Sequence, residues 1–206
     1  ADSALFTING SDELVFLAAP DYENPADVNT DNVYEVQVTA DDGNGGTAVQ
    51  LISVTVNPVN DNNPAITSSA TPSIAENQTV VQTLTATDSD LPAQTVTFSI
   101  TGGADSALFT INGSNELVFS AAPDFENPTD TDTNNVYEVQ VTADDGNGGT
   151  DSQLISVTVT DVNEAPTAIS LSNSSVDENT DTGAGYSVGT LSTTDEDSGD
   201  SATYSI

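Results

Sequence analysis

The chain has 206 residues, of which 33 are Asp or Glu and none is Lys, Arg or His. Binding to nucleic acid or to an anionic membrane surface requires cationic side chains, so this composition excludes both kinds of partner. No apolar run reaches the roughly 18 residues of a transmembrane helix, so we expect no membrane insertion.

An internal repeat organises the chain. Residues 1–61 and 104–164 are nearly identical, and a weaker match relates residues 74–90 to 176–197. A period near 100 residues suits tandem domains that each bury a core, because solenoid repeats are shorter. We therefore predict the C-terminal part of one repeat at 1–64, a complete repeat at 65–166 and the N-terminal part of the next repeat at 167–206. This arrangement is expected of an excerpt from a longer tandem array.

The complete repeat is predicted to be all-β. Its candidate strands cover residues 66–75, 79–87, 95–101, 107–111, 116–120, 135–143 and 152–160. Segments 135–143 and 152–160 alternate apolar and polar residues, and this period of two indicates half-buried strands. The sequence DDGNGG between them predicts a hairpin loop. About seven strands in a repeat of this size predict an immunoglobulin-like Greek-key sandwich.

Acidic motifs lie between these strands rather than along their faces, and most of them occur in two copies. They are PDYEN (20–24) and PDFEN (123–127), AEN (75–77) and DEN (177–179), DSD (88–90) and DED (195–197), ADDGNGG (40–46 and 143–149), and the connector VNDNNP (59–64). Taken singly, each motif also fits a solvated turn of an acidic protein. Because the chain has no Cys, His or Met, carboxylate and carbonyl oxygens favour calcium, magnesium or manganese over zinc or copper.

Together these motifs resemble those of the cadherin repeat. The connector of that family reads Asp-x-Asn-Asp-Asn-x-Pro, and VNDNNP matches it except that Pro58 replaces the first Asp. The family's base Glu-Asn is matched at 76–77 and 178–179, its Asp-x-Asp at 88–90 and 195–197, and its Asp-Arg-Glu at 21–23 and 124–126 with an aromatic residue in place of Arg. Its Ala-x-Asp-x-Gly is matched loosely at 40–42 and 143–145.

The resemblance implies calcium ions at the junctions between successive repeats. At the first junction the implied ligands are Asp21, Glu23, Asn60, Asp61, Asn62, Asp88, Asp90 and Asp145. At the second junction they are Glu76, Asp124, Glu126, Asn163, Glu164, Asp195 and Asp197. Calcium takes about 6–8 oxygen ligands, which these sets supply. The second connector, DVNEAPT (161–167), departs from the pattern because Glu164 and Ala165 replace Asp and Asn and one residue is missing before Pro166.

The resulting interpretation is a calcium-binding, calcium-rigidified structural repeat of an extracellular adhesion protein, located outside the cell or on its surface. The absence of Arg and the near-identical repeats look like the cadherin-like arrays of large bacterial surface proteins. The expected partners are neighbouring repeats, with homophilic or polysaccharide contacts in addition. The alternative is a cadherin-like module that itself binds polysaccharide or protein. An enzyme is not expected, because no Trp can stack on sugar and no Lys, Arg or His can tune a general acid.

Overall fold

The computed structural model describes residues 2–178, 185–197 and 199–206, and the prediction of an all-β fold is confirmed. The only helical elements in these residues are two 3-10 turns, Ser3–Leu5 and Ser106–Leu108. The strands of the described residues are β1 (Phe6–Ile8), β2 (Leu14–Phe16), β3 (Val33–Asp41), β4 (Thr47–Thr55), β5 (Ala65–Ile66), β6 (Ser73–Ala75), β7 (Val80–Thr83), β8 (Ala86–Thr87), β9 (Thr97–Gly102), β10 (Phe109–Ile111), β11 (Glu116–Phe119), β12 (Val136–Asp144), β13 (Thr150–Thr160), β14 (Ala168–Leu171) and β15 (Leu191–Thr194).

The chain forms two compact units. The first consists of Ala1–Ser68, Leu84–Ser99 and Val141–Gln153, and the second of Ser69–Thr83, Ile100–Gln140 and Leu154–Ile206. The predicted repeat boundaries after residues 64 and 166 stay predictions. No helix among the described residues is long and apolar enough to cross a membrane.

The strands pair mainly with neighbours in sequence. Antiparallel pairs join β1 to β2, β3 to β4, β5 to β8 and β14 to β15. Strand β11 lies between β10 and β7, and the remaining sheet has the order β6-β13-β12-β9. In that sheet β6 runs parallel to β13, with Ile74 opposite Val159. The hairpin loops after β3 and β12 are those that the DDGNGG sequence predicts.

The two near-identical sequence segments pack their aromatic residues in the same way. In the first unit the rings of Phe16 and Tyr34 lie 5.1 Å apart at 89°. In the second unit Phe119 and Tyr137 lie 5.0 Å apart at 88°. Such edge-to-face pairs are a favourable aromatic geometry. Tyr137 is fully buried, and its hydroxyl accepts a hydrogen bond from the Thr129 backbone N–H, so the polar end of this core residue is satisfied.

Three predicted strands differ from the observed elements. Segment 66–75 contains two short strands, β5 and β6, separated by a bend around the proline. Segment 79–87 also divides, because β7 pairs with β11 whereas β8 pairs with β5, and buried Leu84 lies between them. Segment 107–111 begins in the 3-10 turn that precedes β10. The predicted strands at 95–101, 116–120, 135–143 and 152–160 correspond to β9, β11, β12 and β13.

Candidate metal centre

Five carboxylates converge in the first unit, and we call them the first acidic cluster: Glu23, Asp61, Asp88, Asp90 and Asp145. One oxygen from each of Glu23, Asp61 and Asp90 lies within 4.8 Å of the others, and the same holds for Asp88, Asp90 and Asp145. Asp90 therefore belongs to both groups of three. It is only 2% exposed, and Asp145 is only 3% exposed. Burial of two carboxylates this close together is costly unless positive charge or hydrogen bonds compensate it.

The connector between β4 and β5 lies against Asp90. The backbone N–H groups of Asp61 and Asn62 donate to Asp90 Oδ1 at 3.4 and 3.2 Å, and Asn62 Nδ2 donates to the same oxygen at 3.0 Å. Asp88 in turn accepts the Asp90 N–H at 2.9 Å, which closes a turn typical of Asp. The dense polar sequence of the connector thus supplies donors that hold one buried carboxylate.

The hairpin loop after β12 brings Asp145 to the same place. Its Oδ1 accepts the backbone N–H groups of Asn147 at 2.7 Å and Gly149 at 3.0 Å. A Cβ atom at Gly149 would collide with the Asp145 carboxylate and would lie 3.2 Å from the Asn62 carbonyl oxygen. Only glycine therefore permits this close approach of loop and connector.

Hydrogen bonds favour the ionised form of two carboxylates in the first acidic cluster, Asp90 and Asp145. The Asn62 side-chain amide is the main cause that lowers the pKa of Asp90, against the opposing charge of Asp145. The Asn147 N–H is the main cause that lowers the pKa of Asp145. Even so, Asp88 Oδ2 is buried without a hydrogen-bond partner in the described residues. A buried carboxylate oxygen left without a partner suits a site that takes up a cation.

A second acidic cluster lies in the second unit and comprises Glu76, Asp124, Glu126, Asp161 and Asp197. Its two groups of three are Glu76 with Asp124 and Glu126, and Glu126 with Asp161 and Asp197; within each group the oxygens lie within 4.8 Å of one another. Glu76, which follows β6, is 3% exposed.

Glu76 links two segments that contribute to this second cluster. Its Oε2 accepts the Phe125 N–H, and its Oε1 accepts the Val162 N–H, both at 2.9 Å. Asp124 and Glu126 flank Phe125, and Asp161 precedes Val162. One buried carboxylate thus orders the backbone that presents three others.

The negative charge of the second cluster is less well compensated by hydrogen bonds than that of the first. Burial is the main cause that raises the pKa of Glu126, Asp161 and Glu164, and the charges of Glu76 and Asp197 raise each of them further. Glu164 accepts a hydrogen bond from Asn77 Nδ2 at 3.1 Å on one oxygen, but its Oε2 is buried without a partner in the described residues.

Nine of the implied ligands lie in the two clusters, and the other six do not belong to a group of three. Asp21 is exposed, and its Oδ1 accepts the Glu23 and Asn24 N–H groups. Asn60 accepts a hydrogen bond from Gln94, and Asn62 directs its amide nitrogen at Asp90.

The remaining implied ligands lie near the second connector. Asn163, Glu164 and Asp195 line a cavity of 260 Å³. Asp195 accepts the Asp197 N–H at 3.3 Å, so it shapes the turn that carries Asp197. The Glu-Asn match at 178–179 falls partly outside the described residues, which do not include Asn179.

Asp161 is the cluster residue that the sequence motifs did not assign. It stands at the first position of the second connector, where the family pattern has Asp and where the first connector has Pro58. The Asp-x-Asn spacing at 161–163 was the available signal.

Both clusters offer hard oxygen donors from separate loops. Calcium accepts such sets in flexible geometry, whereas magnesium demands a near-ideal octahedron. The buried carboxylate oxygens without partners and the absence of any cationic side chain in the chain both fit a bound cation. The residues present therefore fit calcium.

Comparison with known proteins finds a family for part of the chain. Residues 70–162 match the family model described as Cadherin domain. The human protein "Cadherin EGF LAG seven-pass G-type receptor 2" is 36% identical over 162 residues, which cover 76% of this chain and 5% of the receptor. The mouse protein of the same name is 35% identical over the same share. The chain thus spans about one twentieth of the length of these relatives.

Solved structures show the same fold. Human Protocadherin-24 EC1-2 is similar at a TM-score of 0.60 and 22% identity, covering 77% of each chain. Human CDH23 EC21-23 is similar at a TM-score of 0.66 and 19% identity, covering 95% of this chain and 62% of the other. At these identities the likeness concerns the fold. Residues 70–162 are thus recognised as a cadherin domain by the family model, and the solved structures agree with it in fold.

Proposed function

We propose that this chain is a calcium-binding structural part of an extracellular adhesion protein, in which calcium makes successive repeats rigid. One observation carries the proposal: carboxylates converge in two clusters, each with at least one buried member, in a chain that has no cationic side chain to neutralise them. Two carboxylates about 5 Å apart repel by roughly 3 kcal/mol at an effective dielectric constant near 20. A bound divalent cation reverses the sign of that interaction, so the loops that carry the carboxylates become held together.

The proposed ligands follow the two clusters. In the first, Asp90 is shared between Glu23 and Asp61 on one side and Asp88 and Asp145 on the other. In the second cluster, Glu126 is shared in the same way. Asn60, Asn62, Asn163, Asp21, Glu164 and Asp195 are proposed as additional ligands through side-chain or backbone oxygens.

The setting is proposed from composition and repetition. Near-identical repeats without Lys or Arg suit a large bacterial surface protein, whose repeats at 1–64, 65–166 and 167–206 present a binding domain located elsewhere. The expected location is extracellular or at the cell surface, and calcium is the only cofactor proposed. We propose no catalytic role, since the chain has no His or Lys to activate a serine nucleophile and no Lys, Arg or His to tune a general acid.

A polysaccharide-binding module is the less favoured function. Sugar recognition uses exposed aromatic faces, but Tyr34 and Tyr137 are buried in the described structure. Tyr186 and Tyr204 are the large aromatic side chains with substantial exposure among the described residues, at 50% and 43%. They lie in the segment after residue 166 and do not form a repeated pattern.

Calcium titration by calorimetry, together with thermal melts in EDTA, calcium and magnesium, tests the proposal. We expect saturable calcium binding and a melting temperature that is highest in calcium and only slightly raised in magnesium. Equal midpoints in the three buffers would refute the metal-binding function. Small-angle scattering in EDTA and in calcium tests rigidity separately, because a protein that binds calcium without stiffening gives the same scattering curve in both buffers.

A further inference from the structure

Gln94 makes hydrogen bonds with three separate segments around the first acidic cluster. It is half-buried in the irregular segment between β8 and β9. Its Nε2 donates to Asn60 Oδ1 in the connector and to Asp90 Oδ2 at 3.3 Å, and its Oε1 accepts from Asn147 Nδ2 in the hairpin loop at 2.8 Å. A glutamine side chain offers two N–H donors and a carbonyl oxygen, so this one amide can serve all three partners. The connector, the Asp90 turn and the hairpin loop are thereby joined through a neutral group.

The partners of Gln94 take part in stabilising the two buried carboxylates of this cluster. Asp90 Oδ1 accepts hydrogen bonds from the connector, and Gln94 donates to the other oxygen of the same carboxylate. The Asn147 N–H is the main cause that lowers the pKa of Asp145, against the opposing effect of burial, and the Asn60 side-chain amide lowers it further. Because both of these asparagines are bonded to Gln94, its amide holds their donors beside Asp145.

The segment that carries Gln94 contacts every part of the chain that contributes a carboxylate to the first cluster. Segment 88–94 itself supplies two of the five carboxylates. Its Leu91 N–H donates to a third, Glu23 Oε1, at 3.2 Å. Through Gln94 the segment also reaches the connector and the hairpin loop, which carry the remaining two. Loss of the Gln94 amide would therefore separate the parts of the cluster without removing any carboxylate.

A carboxylate occupies the corresponding sequence position beside the second cluster. The segment TVTFSI at 95–100 corresponds to SATYSI at 201–206, so Gln94 corresponds to Asp200. Burial is the main cause that raises the pKa of Asp161, and the charge of Asp200 is among those that raise it further. The same position thus carries a neutral donor where hydrogen bonds compensate the charge well, and a further negative charge where they do not.

We propose that Gln94 is the positioning residue of the first acidic cluster. Its amide fixes the Asn60 and Asn147 side chains beside the buried carboxylates, so the cluster is assembled in the metal-free protein. A buried polar network whose members are satisfied holds a single arrangement. The consequence for calcium affinity rests on the proposed function, because a preassembled set of ligands loses less conformational freedom when the ion binds. The assembly itself does not depend on calcium.

Two substitutions of Gln94 change different properties of its amide. Gln94→Leu removes all three hydrogen bonds at a similar side-chain volume. Gln94→Glu keeps an oxygen for Asn147 but replaces the donors with a negative charge beside Asp90. The matched controls are Gln82→Leu and Gln82→Glu. Gln82 in β7 also uses both ends of its amide, since it donates to the Ser69 carbonyl oxygen and accepts the Ser69 N–H, and it belongs to neither cluster. Far-UV circular dichroism checks that each variant folds like the parent.

Backbone hydrogen exchange measured by NMR on the full chain in EDTA tests the assembly without calcium. The N–H groups of Asn62 and Asn147 donate to the two buried carboxylates, and we expect them to exchange about tenfold faster in both Gln94 variants, because local opening then breaks fewer hydrogen bonds. The Phe125 N–H, which belongs to the second cluster, should exchange as in the parent. The Gln82 controls should leave all three rates unchanged. Unchanged exchange at the first cluster, or an equal increase at both clusters, would overturn the proposal.

Thermal melts in EDTA and in calcium provide a readout that a purely structural role would not change. Gln94→Glu should melt below the parent in EDTA, because its carboxylate repels Asp90, yet gain more from calcium, because the same carboxylate adds a ligand. Gln94→Leu should gain less from calcium than the parent does. If the parent gains from calcium but Gln94→Glu is shifted equally in both buffers, the proposal is wrong. If the parent gains nothing from calcium, the calcium-binding function fails, and hydrogen exchange in EDTA alone decides the role of Gln94.

Discussion

Replacing Glu76 with Gln tests the second acidic cluster most directly. The Glu76 carboxylate is 3% exposed and accepts the N–H groups of Phe125 and Val162. Gln retains one carbonyl oxygen but turns an NH₂ group toward the other N–H, which leaves one buried donor unpaired. Such a donor costs about 1–3 kcal/mol. In the metal-free protein, relief of the repulsion with Asp124 and Glu126 offsets part of that cost.

The effect of Glu76→Gln on stabilisation by calcium can be separated from its effect on the stability of the metal-free protein. If the site binds calcium with a Kd near 10⁻⁴ M, as in extracellular modules, about 1 mM calcium stabilises the fold by about 1.4 kcal/mol. A tenfold loss of affinity in Glu76→Gln reduces that contribution to about 0.4 kcal/mol. The difference of about 1 kcal/mol corresponds to roughly 2–4 °C in melting temperature for a chain of this size.

Thermal denaturation in EDTA and in calcium provides the assay, with Glu116→Gln as the matched control. Glu116 lies in β11, its carboxylate accepts a hydrogen bond from Asn112 Nδ2, and it belongs to neither cluster. We expect the gain in melting temperature on adding calcium to shrink in Glu76→Gln and to be unchanged in Glu116→Gln. If both variants gain as much from calcium as the parent, Glu76 is not a calcium ligand and the reasoning is wrong.

Three further predictions concern single carboxylates and pH. Asp90→Ala should weaken calcium binding at both groups of the first cluster in calorimetry while far-UV circular dichroism stays unchanged; a parent-like titration would remove Asp90 from the ligand set. Asp161→Asn should lower calcium affinity in the second cluster although Pro58 occupies its place in the first connector, and an unchanged affinity would contradict this. In EDTA, the raised pKa values of Glu126, Asp161 and Glu164 mean that the folded state binds more protons than the unfolded state between their ordinary and raised values. These groups should therefore make the metal-free protein more stable to urea as the pH falls from neutral through their raised pKa values. A urea midpoint of unfolding that only decreases over this pH range would argue against the second cluster.

The strands that the sequence predicts best are those whose side-chain alternation runs without interruption. Segments 135–143 and 152–160 became β12 and β13 because each has a continuous inward row of apolar residues. Segment 79–87 divides at Leu84 instead. Both halves contain Thr, and the first also contains Val80 and Val81, so composition suits a strand on either side of Leu84, and the pairing partners distinguish β7 from β8. Strand pairing depends on tertiary contacts, so local propensity cannot predict it.

The clusters illustrate the same limit for a site. The acidic motifs form their own turns, as Asp88 and Asp145 do through hydrogen bonds to nearby N–H groups, and such turns can be predicted from the sequence. The convergence of side chains from different motifs cannot be predicted in this way. Asp21 and Asp124 occupy the same motif in two near-identical copies, yet only Asp124 joins a group of three. In the second copy, Glu76 accepts the Phe125 N–H and so holds the motif that carries Asp124.

The two clusters also differ in how their charge is compensated, and that difference bears on calcium. In the first, amide donors from Asn62, Asn147 and Gly149 already stabilise ionised Asp90 and Asp145. In the second, Glu126 and Asp161 have pKa values raised mainly by burial and then by neighbouring charges. A bound cation therefore relieves less repulsion between carboxylates in the first cluster than in the second. It follows that removal of calcium should disturb the loops of the second cluster first, even though its connector departs further from the family pattern.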